Sequence, residues 1–189
     1  MNVYRDDAAV PLARPEPAQP LLSLDFRSVY ADHFEFAYRS LRLLGVAPDA
    51  LEDAAQDVFG VVSRRLREFA GQSSLRTWIF AIVHRVAANY LRTRRRKQPP
   101  REPLTESIPA NQPSPEACAQ AAQAVARVQE FCDRLDDGRR VVFVLGLVEA
   151  VPASEIAPLL GIPLFTVYSR MRTLREQLQR FLEDNEVEK

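Results

Sequence analysis

The sequence contains few of the side chains that build metal and redox sites. Its 189 residues include two cysteines, two histidines and one tryptophan, and they form no CxxC, HExxH or histidine-rich motif. Cys118 and Cys132 lie in one predicted helix, where fourteen residues at ~1.5 Å rise place them about 21 Å apart, too far for a disulfide. We therefore predict small core cysteines in a reducing compartment, no metal site and no cofactor.

Long apolar runs and glycine-rich loops are also missing. No apolar run approaches the ~18 residues that span a bilayer, and residues 1–17 are acidic and proline-rich rather than basic and then apolar. The six glycines are scattered, and no pairing of a nucleophile with a base is evident. We expect a cytoplasmic protein without membrane insertion, and we do not expect an enzyme.

The formal net charge is zero, but the charges are segregated along the chain. Residues 1–60 carry five basic and ten acidic side chains, whereas residues 61–101 carry eleven basic side chains and a single acidic one, Glu68. Residues 102–189 are acidic again. A basic block between acidic ones is typical of contact with nucleic acid or an acidic surface, and a merely solvated helix is the alternative.

Apolar residues recur at three- and four-residue spacing, which predicts an all-α protein of two small helical domains joined by a Pro-rich linker. We predict a mobile N-terminal tail over residues 1–22, because they contain four prolines and little apolar periodicity. The first domain is predicted at 23–97 and the linker at 98–116, which holds six prolines. The second domain is predicted at 117–183 and a C-terminal tail at 184–189.

Three helices are predicted in the first domain. The first ends at Gly45, the second follows Pro48, and the third begins after the loop from Gly71 to Ser74 and ends in an arginine-rich stretch. The first helix is expected to turn one face inward, made of Phe26, Tyr30, Phe34, Ala37, Leu41 and Leu44.

The second domain begins with a strong helix-start signal. Ser114, Pro115 and Glu116 supply an N-cap, a proline at the first helical position and an acid in the first turn. The apolar segment 139–148, RRVVFVLGLV, has the composition of a buried strand. We predict a helix there, because everything around it is helical.

The end of the second domain has the layout of a helix-turn-helix. A short helix around Glu155 is followed by a turn at Gly161 and a longer amphipathic helix, which in such motifs enters the major groove. Pro158 removes a backbone donor from the short helix, which can cost ~3 kcal/mol unless the helix begins as late as Ser154. An ordinary helical hairpin with a polar outer face is the alternative. The inward residues of the longer helix are expected to be Leu164, Val167, Met171, Leu174 and Leu178.

Two stretches of the sequence resemble one protein family. Region 2 of the sigma-70 family, in its extracytoplasmic-function (ECF) subfamily, is similar to LEDAAQDVFGVVSRRLREFAGQSSLRTWIFAIVHRVAANYLRTRRRK. Region 4 of those sigma factors is similar to DGRRVVFVLGLVEAVPASEIAPLLGIPLFTVYSRMRTLREQL. The resemblance covers about residues 26–97 and 117–182. It implies a sigma factor that binds core RNA polymerase and directs promoter-specific transcription initiation, reading minus-35 with region 4 and melting minus-10 with region 2.

The resemblance implies a site for the minus-10 element in the first domain. The loop before the third helix matches one that captures an extruded base, and small polar groups can hydrogen-bond a flipped base edge. Trp78 matches an aromatic that stacks on bases, although its place on the inward stripe favours a core role. Arginines at the helix end match groups beside the DNA phosphates. The implied minus-10 residues are Gln72, Ser73, Ser74, Arg76, Trp78, Arg85, Asn89, Arg92, Arg94, Arg95 and Arg96.

The outer face of the last helix is the implied reader of the minus-35 element. Arginine can contact guanine bidentately, hydroxyl groups can hold phosphates, and an exposed Phe165 can touch a thymine methyl. Tyr168 and Thr173 stand where the family usually has basic residues, so we expect an atypical minus-35 element. The implied minus-35 residues are Phe165, Thr166, Tyr168, Ser169, Arg170, Arg172, Thr173 and Arg175.

The resemblance also implies protein partners. The second helix matches the one that docks on the β′ clamp coiled coil of core RNA polymerase, with the β flap as a further expected contact. Promoter DNA and an anti-sigma factor complete the expected partners. The implied polymerase-binding residues are Asp53, Gln56, Asp57 and Phe59, although the apolar stripe favours a core role for Phe59.

Two other functions fit parts of the same pattern. A stand-alone helix-turn-helix regulator would bind duplex DNA and would need no polymerase. A polymerase-binding protein that has lost promoter readout is favoured by Tyr168 and Thr173. Dependence on the polymerase separates the first of these functions from a sigma factor, and the effect of replacing Arg172 separates the second.

Overall fold

The computed structural model describes residues 24–97 and 115–187, and within these ranges the chain is helical and contains no strand. Side chains are described for residues 24–94 and 123–184. The predicted tail at 1–22, nearly all of the predicted linker at 98–116, and the Cys118 side chain lie outside these residues. The all-α prediction is confirmed.

Three helices form the N-terminal unit: α1 at Phe26–Leu43, α2 at Leu51–Arg65 and α3 at Leu75–Lys97. Asp25 caps α1, because its carboxylate accepts a 3.2 Å hydrogen bond from the Ser28 backbone N–H. The three helices pack on one another around buried apolar side chains. The largest of these that are fully enclosed are Leu41, Leu51, Ile79 and Phe80.

The inward face predicted for α1 is wrong at its N-terminal end. Phe26 and Tyr30 are exposed and Phe34 is half-buried, whereas Val29 and Phe36 are buried. Residues four apart on a helix drift around its axis by about 40° per step. The aromatic series therefore rotates out of the core and forms a ladder of rings on the surface, with 6.1 Å between the first two ring centroids and 5.2 Å between the next two.

Four helices form the C-terminal unit: α4 at Pro115–Asp133, α5 at Asp137–Val142, α6 at Ala153–Leu160 and α7 at Leu164–Val187. Helix α7 continues into the predicted C-terminal tail. The valine-rich segment is helical, as predicted, because α5 is prolonged by a wider π-helical turn at Phe143–Val148. The apolar side chains from Val141 to Leu145 are buried, which explains why the composition of the segment resembled that of a core strand.

The helix-turn-helix region folds with Pro158 inside α6. Helix α6 begins at Ala153, one residue before the latest start considered from the sequence, and the proline ring is exposed. Gly161 ends the helix with φ +63°, and the N–H of Ile162 donates a 3.1 Å hydrogen bond to the Ala157 carbonyl.

The two units pack against each other. Helix α1 contacts α4, and α3 contacts α6. The Arg140 guanidinium of α5 donates to the carbonyls of Cys132 at 2.9 Å and Leu135 at 3.2 Å in its own unit, and to Leu44 at 3.2 Å in the other. Carbonyls at helix ends lack partners within the helix, so this single side chain joins the end of α1 to the end of α4.

Candidate nucleic-acid and partner interfaces

Helix α7 presents a broad face to solvent. Phe165 is 73 % exposed, and the Arg172 side chain is 83 % exposed. Tyr168 is also exposed, on the same side of the helix. Burying large aromatic side chains is favourable, so a helix that leaves two of them in water is typical of an interaction surface. Of the predicted minus-35 residues, those exposed here are Phe165, Tyr168, Ser169, Arg172, Thr173 and Arg175.

The inner face of α7 agrees with the sequence pattern except at its start. Val167, Met171 and Leu174 are buried, whereas the inward position predicted for Leu164 is wrong. Leu164 is the first residue of the helix, and it is 43 % exposed because the turn after Gly161 does not cover it.

Two predicted minus-35 residues lie at the edge of the exposed face. Thr166 and Arg170 are half-buried. The Arg170 guanidinium lies close to the start of α5, since a Cβ placed on Gly138 would be 3.5 Å from its Nη1. Arg172 instead points outward and forms an exposed ion pair of 3.1 Å with Glu176, one turn further along α7. Such exposed pairs contribute little to stability, so Arg172 can exchange its partner at small cost.

Helix α2 presents an acidic face. Asp53, Gln56 and Asp57 are exposed and lie at three- and four-residue spacing on one side. Phe59 does not belong to this face: it is 3 % exposed and packs against Tyr30, with 4.7 Å between ring centroids. We therefore correct the assignment of Phe59 from polymerase contact to core.

The loop and helix predicted to contact minus-10 DNA form a partly exposed surface. Gln72 is exposed, Ser73 is half-buried, and Trp78 is half-buried against Phe69 with 5.4 Å between rings. Trp78 packs against the core, in the role that the stripe pattern favoured. Further along α3 the exposed predicted residues are Arg85, Asn89, Arg92 and Arg94. Arg95 and Arg96 belong to α3, but their side chains lie outside the described residues.

Ser74 is held by a residue of the other unit. Its hydroxyl accepts a 3.2 Å hydrogen bond from the Thr77 N–H, as an N-cap residue does at the start of α3. Its own N–H and hydroxyl donate to Oε2 of Glu155 in α6, at 3.1 and 2.7 Å. In a capping box a glutamate of the same helix accepts from the N-cap N–H, so here Glu155 supplies that carboxylate from a distant part of the sequence.

The ionisation of Glu155 reflects these contacts. Burial acts to raise its pKa, but hydrogen bonds from the side chains of Thr77 and Ser74 and from the Ser74 N–H together lower the pKa below its ordinary value. The carboxylate is therefore the form that fits the start of α3, where the helix dipole also favours a negative charge.

Arg76 is likewise engaged by the other unit. It and Arg39 of α1 both donate to Glu149, which follows the π-helical turn. Arg39 contacts both carboxylate oxygens, with Nε to Oε1 at 2.9 Å and Nη2 to Oε2 at 3.1 Å, and the Nη2 of Arg76 reaches Oε2. The Glu149 side chain is only 1 % exposed. A buried carboxylate is stable only when it is paired in this way.

Sequence reasoning did not find Arg39, Glu149 or Glu155. Arg39 and Glu149 are 110 residues apart, and Ser74 and Glu155 are 81 residues apart. No local motif signals a contact between residues so distant in the chain, and only the packing of the two units brings them together.

Two kinds of feature are absent from the described ranges. Among the side chains described, no cluster of three or more histidine, cysteine, aspartate or glutamate residues is arranged to hold a metal ion. None of the helices in residues 24–97 and 115–187 combines the length and apolar character needed to cross a membrane.

Comparison with known proteins matches residues 29–97 to the family description Sigma-70 region 2. The ECF RNA polymerase sigma factor SigE of Mycolicibacterium smegmatis is 32 % identical over 156 residues, covering 79 % of this chain but only 58 % of SigE. SigW of Bacillus subtilis is 29 % identical over 173 residues, covering 85 % of this chain and 88 % of SigW.

The fold is also similar to that of a solved sigma factor. RpoE of Bartonella quintana, in complex with the anti-sigma factor NepR, aligns with a TM-score of 0.68 at 20 % identity. The alignment covers 84 % of this chain and 97 % of RpoE. The likeness therefore extends over both helical units.

Proposed function

Because this chain belongs to the extracytoplasmic-function sigma factors of the sigma-70 family, we propose that it binds core RNA polymerase and directs promoter-specific transcription initiation. The observation that carries the proposal is the outward face of α7, where Phe165, Tyr168 and Arg172 stand in water on a helix whose other face is buried. This is the form of a recognition helix that reads base edges in the major groove. In the proposal this face reads the minus-35 element.

The N-terminal unit melts the minus-10 element in this proposal. The loop at Gln72 and Ser73 would receive an unpaired base, and the exposed arginines of α3 would hold phosphates of the same DNA. Unstacking a base costs a few kcal/mol, so binding of the unpaired strand has to supply that free energy. The chain breaks no covalent bond itself, because the polymerase supplies the catalysis.

The acidic face of α2 is the proposed polymerase contact. Asp53, Gln56 and Asp57 would dock on the β′ clamp coiled coil, and the C-terminal unit would meet the β flap. These contacts would place the protein in the cytoplasm with the polymerase. An anti-sigma factor is a further proposed partner, since the structurally similar RpoE was solved with one.

Transcription with purified components tests the proposal. Promoters are first selected from random DNA in the presence of bacterial core polymerase, and transcripts are then measured with and without this protein. We expect specific transcripts only when both proteins are present. A protein that footprints duplex DNA alone, and yields no transcript with any core enzyme, would instead be the stand-alone helix-turn-helix regulator.

Single substitutions test the two contacts separately. Arg172→Ala should cost ~1 to 3 kcal/mol of specific promoter binding. Arg180→Ala is its control, since Arg180 is exposed on the same helix about 12 Å further along. If Arg172→Ala leaves promoter-specific transcription unchanged, the chain is a polymerase-binding protein without this readout.

The polymerase contact has its own matched pair. Asp53→Ala should weaken binding to core polymerase, whereas Glu52→Ala changes the neighbouring exposed acid of the same helical turn and should weaken it less. Equal effects of the two substitutions would show that charge alone, and not the face of α2, sets the affinity.

A further inference from the structure

Donor groups of the N-terminal unit converge on two carboxylates of the C-terminal unit. Arg39 and Arg76 meet at Glu149, and Ser74 meets Glu155. The family resemblance implies Ser74 and Arg76 as minus-10 residues, so two of the predicted DNA contacts already bind a carboxylate. Carboxylates in these positions present oxygen atoms and negative charge to the same donors that a phosphate would use.

The donors are not fully satisfied by Glu149. The Nε of Arg76 is buried and has no hydrogen-bond partner among the described residues. Glu149 offers two oxygens, and Arg39 already takes both of them. A phosphate diester of the DNA backbone likewise presents two charged oxygens, in a tetrahedral arrangement, and guanidinium groups bind such oxygens bidentately. The arginines are also reachable, because their side chains are 43 % and 41 % exposed.

We propose that Arg39, Arg76 and Ser74 form a phosphate-binding site for the single-stranded minus-10 DNA, and that Glu149 and Glu155 occupy this site in the free chain. The inference rests on the proposed function, since it takes promoter DNA as the ligand. It adds Arg39 to the DNA-contacting residues. It also makes the packing of the two units and the binding of the DNA strand mutually exclusive.

The backbone next to Glu149 is consistent with a side chain that can leave the site formed by Arg39 and Arg76. Ala150, directly after it, has φ +53°, a left-handed conformation that is costly for residues other than glycine. Insertion of the Glu149 side chain also requires its removal from water, which offsets much of the ion-pair attraction. Both costs reduce the net stability of the Glu149 contact, so a DNA strand with several phosphates can compete with it.

Direct binding of a fluorescent single-stranded oligonucleotide to the full chain, without polymerase, tests this competition. Glu149→Gln keeps the shape of the side chain and removes its charge, so the closed state weakens and DNA binding should tighten about fivefold or more. Glu130→Gln is the matched control, because it removes the same charge from an exposed residue of α4. It should bind DNA like the unmodified chain.

A second comparison tests Arg39 as a phosphate ligand. In the Glu149→Gln background, Arg39→Gln should weaken DNA binding and make the slope of log affinity against log salt shallower by about 0.7, the value for one phosphate contact on a single strand. Arg65→Gln is its control in the same background, since Arg65 is an exposed arginine of α2 paired with Glu68. The control should affect both quantities less.

The results distinguish failure of this inference from failure of the proposed function. Equal DNA affinity of Glu149→Gln and Glu130→Gln, or equal effects of Arg39→Gln and Arg65→Gln, would overturn the inference. If Glu149→Gln does not fold, Glu155→Gln repeats the first comparison, because it frees Ser74 without altering the buried ion pair. Promoter-specific transcription by the unmodified chain is measured alongside. Transcription without the affinity differences overturns this inference alone, whereas the differences without transcription overturn the proposed function alone.

Discussion

The Tyr90 hydroxyl of α3 donates a 2.9 Å hydrogen bond to Oδ2 of Asp57 on α2. Burial of the phenol, followed by the hydrogen bond to the Asp57 carboxylate, raises the pKa of Tyr90 to about 12. The bond joins the proposed minus-10 helix to the proposed polymerase-binding face. It also fixes the rotamer of Asp57 beside Asp53 and Gln56.

Tyr90→Phe tests the contribution of this bond to stability. The substitution keeps the ring and removes the hydroxyl, so we expect the free energy of unfolding to fall by ~1 kcal/mol. Chemical denaturation at neutral pH measures this change. Tyr168→Phe is the control for stability, because Tyr168 is exposed on α7, and it should change the free energy of unfolding by less.

The same bond predicts how stability responds to high pH. The pKa of Tyr90 is raised from 10.0 to about 12 in the folded state. The protonated hydroxyl therefore contributes fully to the free energy of unfolding below pH 10.0, and this contribution is lost as the pH rises toward about 12. We expect ultraviolet titration of the folded protein to show one phenol ionising late, and Tyr90→Phe to remove that late component. A titration unchanged by the substitution would contradict the assignment.

Much of the fold could be predicted from the sequence, because it depends on local signals. Apolar spacing predicted the helices, and Gly45, Pro48 and Gly161 marked their ends. The helical prediction for the valine-rich segment was correct. The inward face of α1 failed at Phe26 and Tyr30, because residues four apart rotate around the helix axis and the aromatic series leaves the core.

The candidate interfaces were only partly predictable, for a physical reason. Exposed residues such as Arg172 and Gln56 follow from the amphipathic pattern of a single helix. The contacts of Arg39 with Glu149 depend on how the two units pack against each other. The apolar spacing within each unit predicts its own helices and carries no information about that packing. The apolar spacing of α2 placed Phe59 in the core, whereas the family resemblance placed it among the polymerase-binding residues.

The thiol of Cys132 should be unreactive in the folded protein. Cys132 is fully buried, and burial raises the pKa of its thiol to about 12, so hardly any thiolate exists near pH 8. In a Cys118→Ser background, which leaves one thiol, alkylation should be slow in the native state and rapid in denaturant. Mass spectrometry over time measures both rates, and fast native alkylation would contradict the buried position.

Ala150→Gly should stabilise the chain. Ala150 is exposed and has φ +53°, so glycine removes backbone strain of ~1 to 2 kcal/mol and loses no packing. The greater flexibility of glycine in the unfolded state offsets ~0.5 to 1 kcal/mol of this gain. We expect a net increase of ~0.5 to 1 kcal/mol in the free energy of unfolding. Ala31→Gly, at an exposed position within α1, should lower it by ~1 kcal/mol, and destabilisation by both would refute the strain argument.

Gly45→Ala tests the junction between the two units. Gly45 has φ +94°, and a Cβ there would lie 2.9 Å from Nη1 of Arg140, the atom that donates to the Leu44 carbonyl. The substitution adds the backbone cost of ~1 to 2 kcal/mol and displaces a hydrogen bond of ~1 kcal/mol. Gly71→Ala is the control, because Gly71 has φ +67° and no atom within 4 Å of the added Cβ. Thermal and denaturant unfolding should show a larger loss in the free energy of unfolding for Gly45→Ala, since only there does Arg140 have to move. Equal losses for the two substitutions would mean that the Arg140 side chain moves without cost.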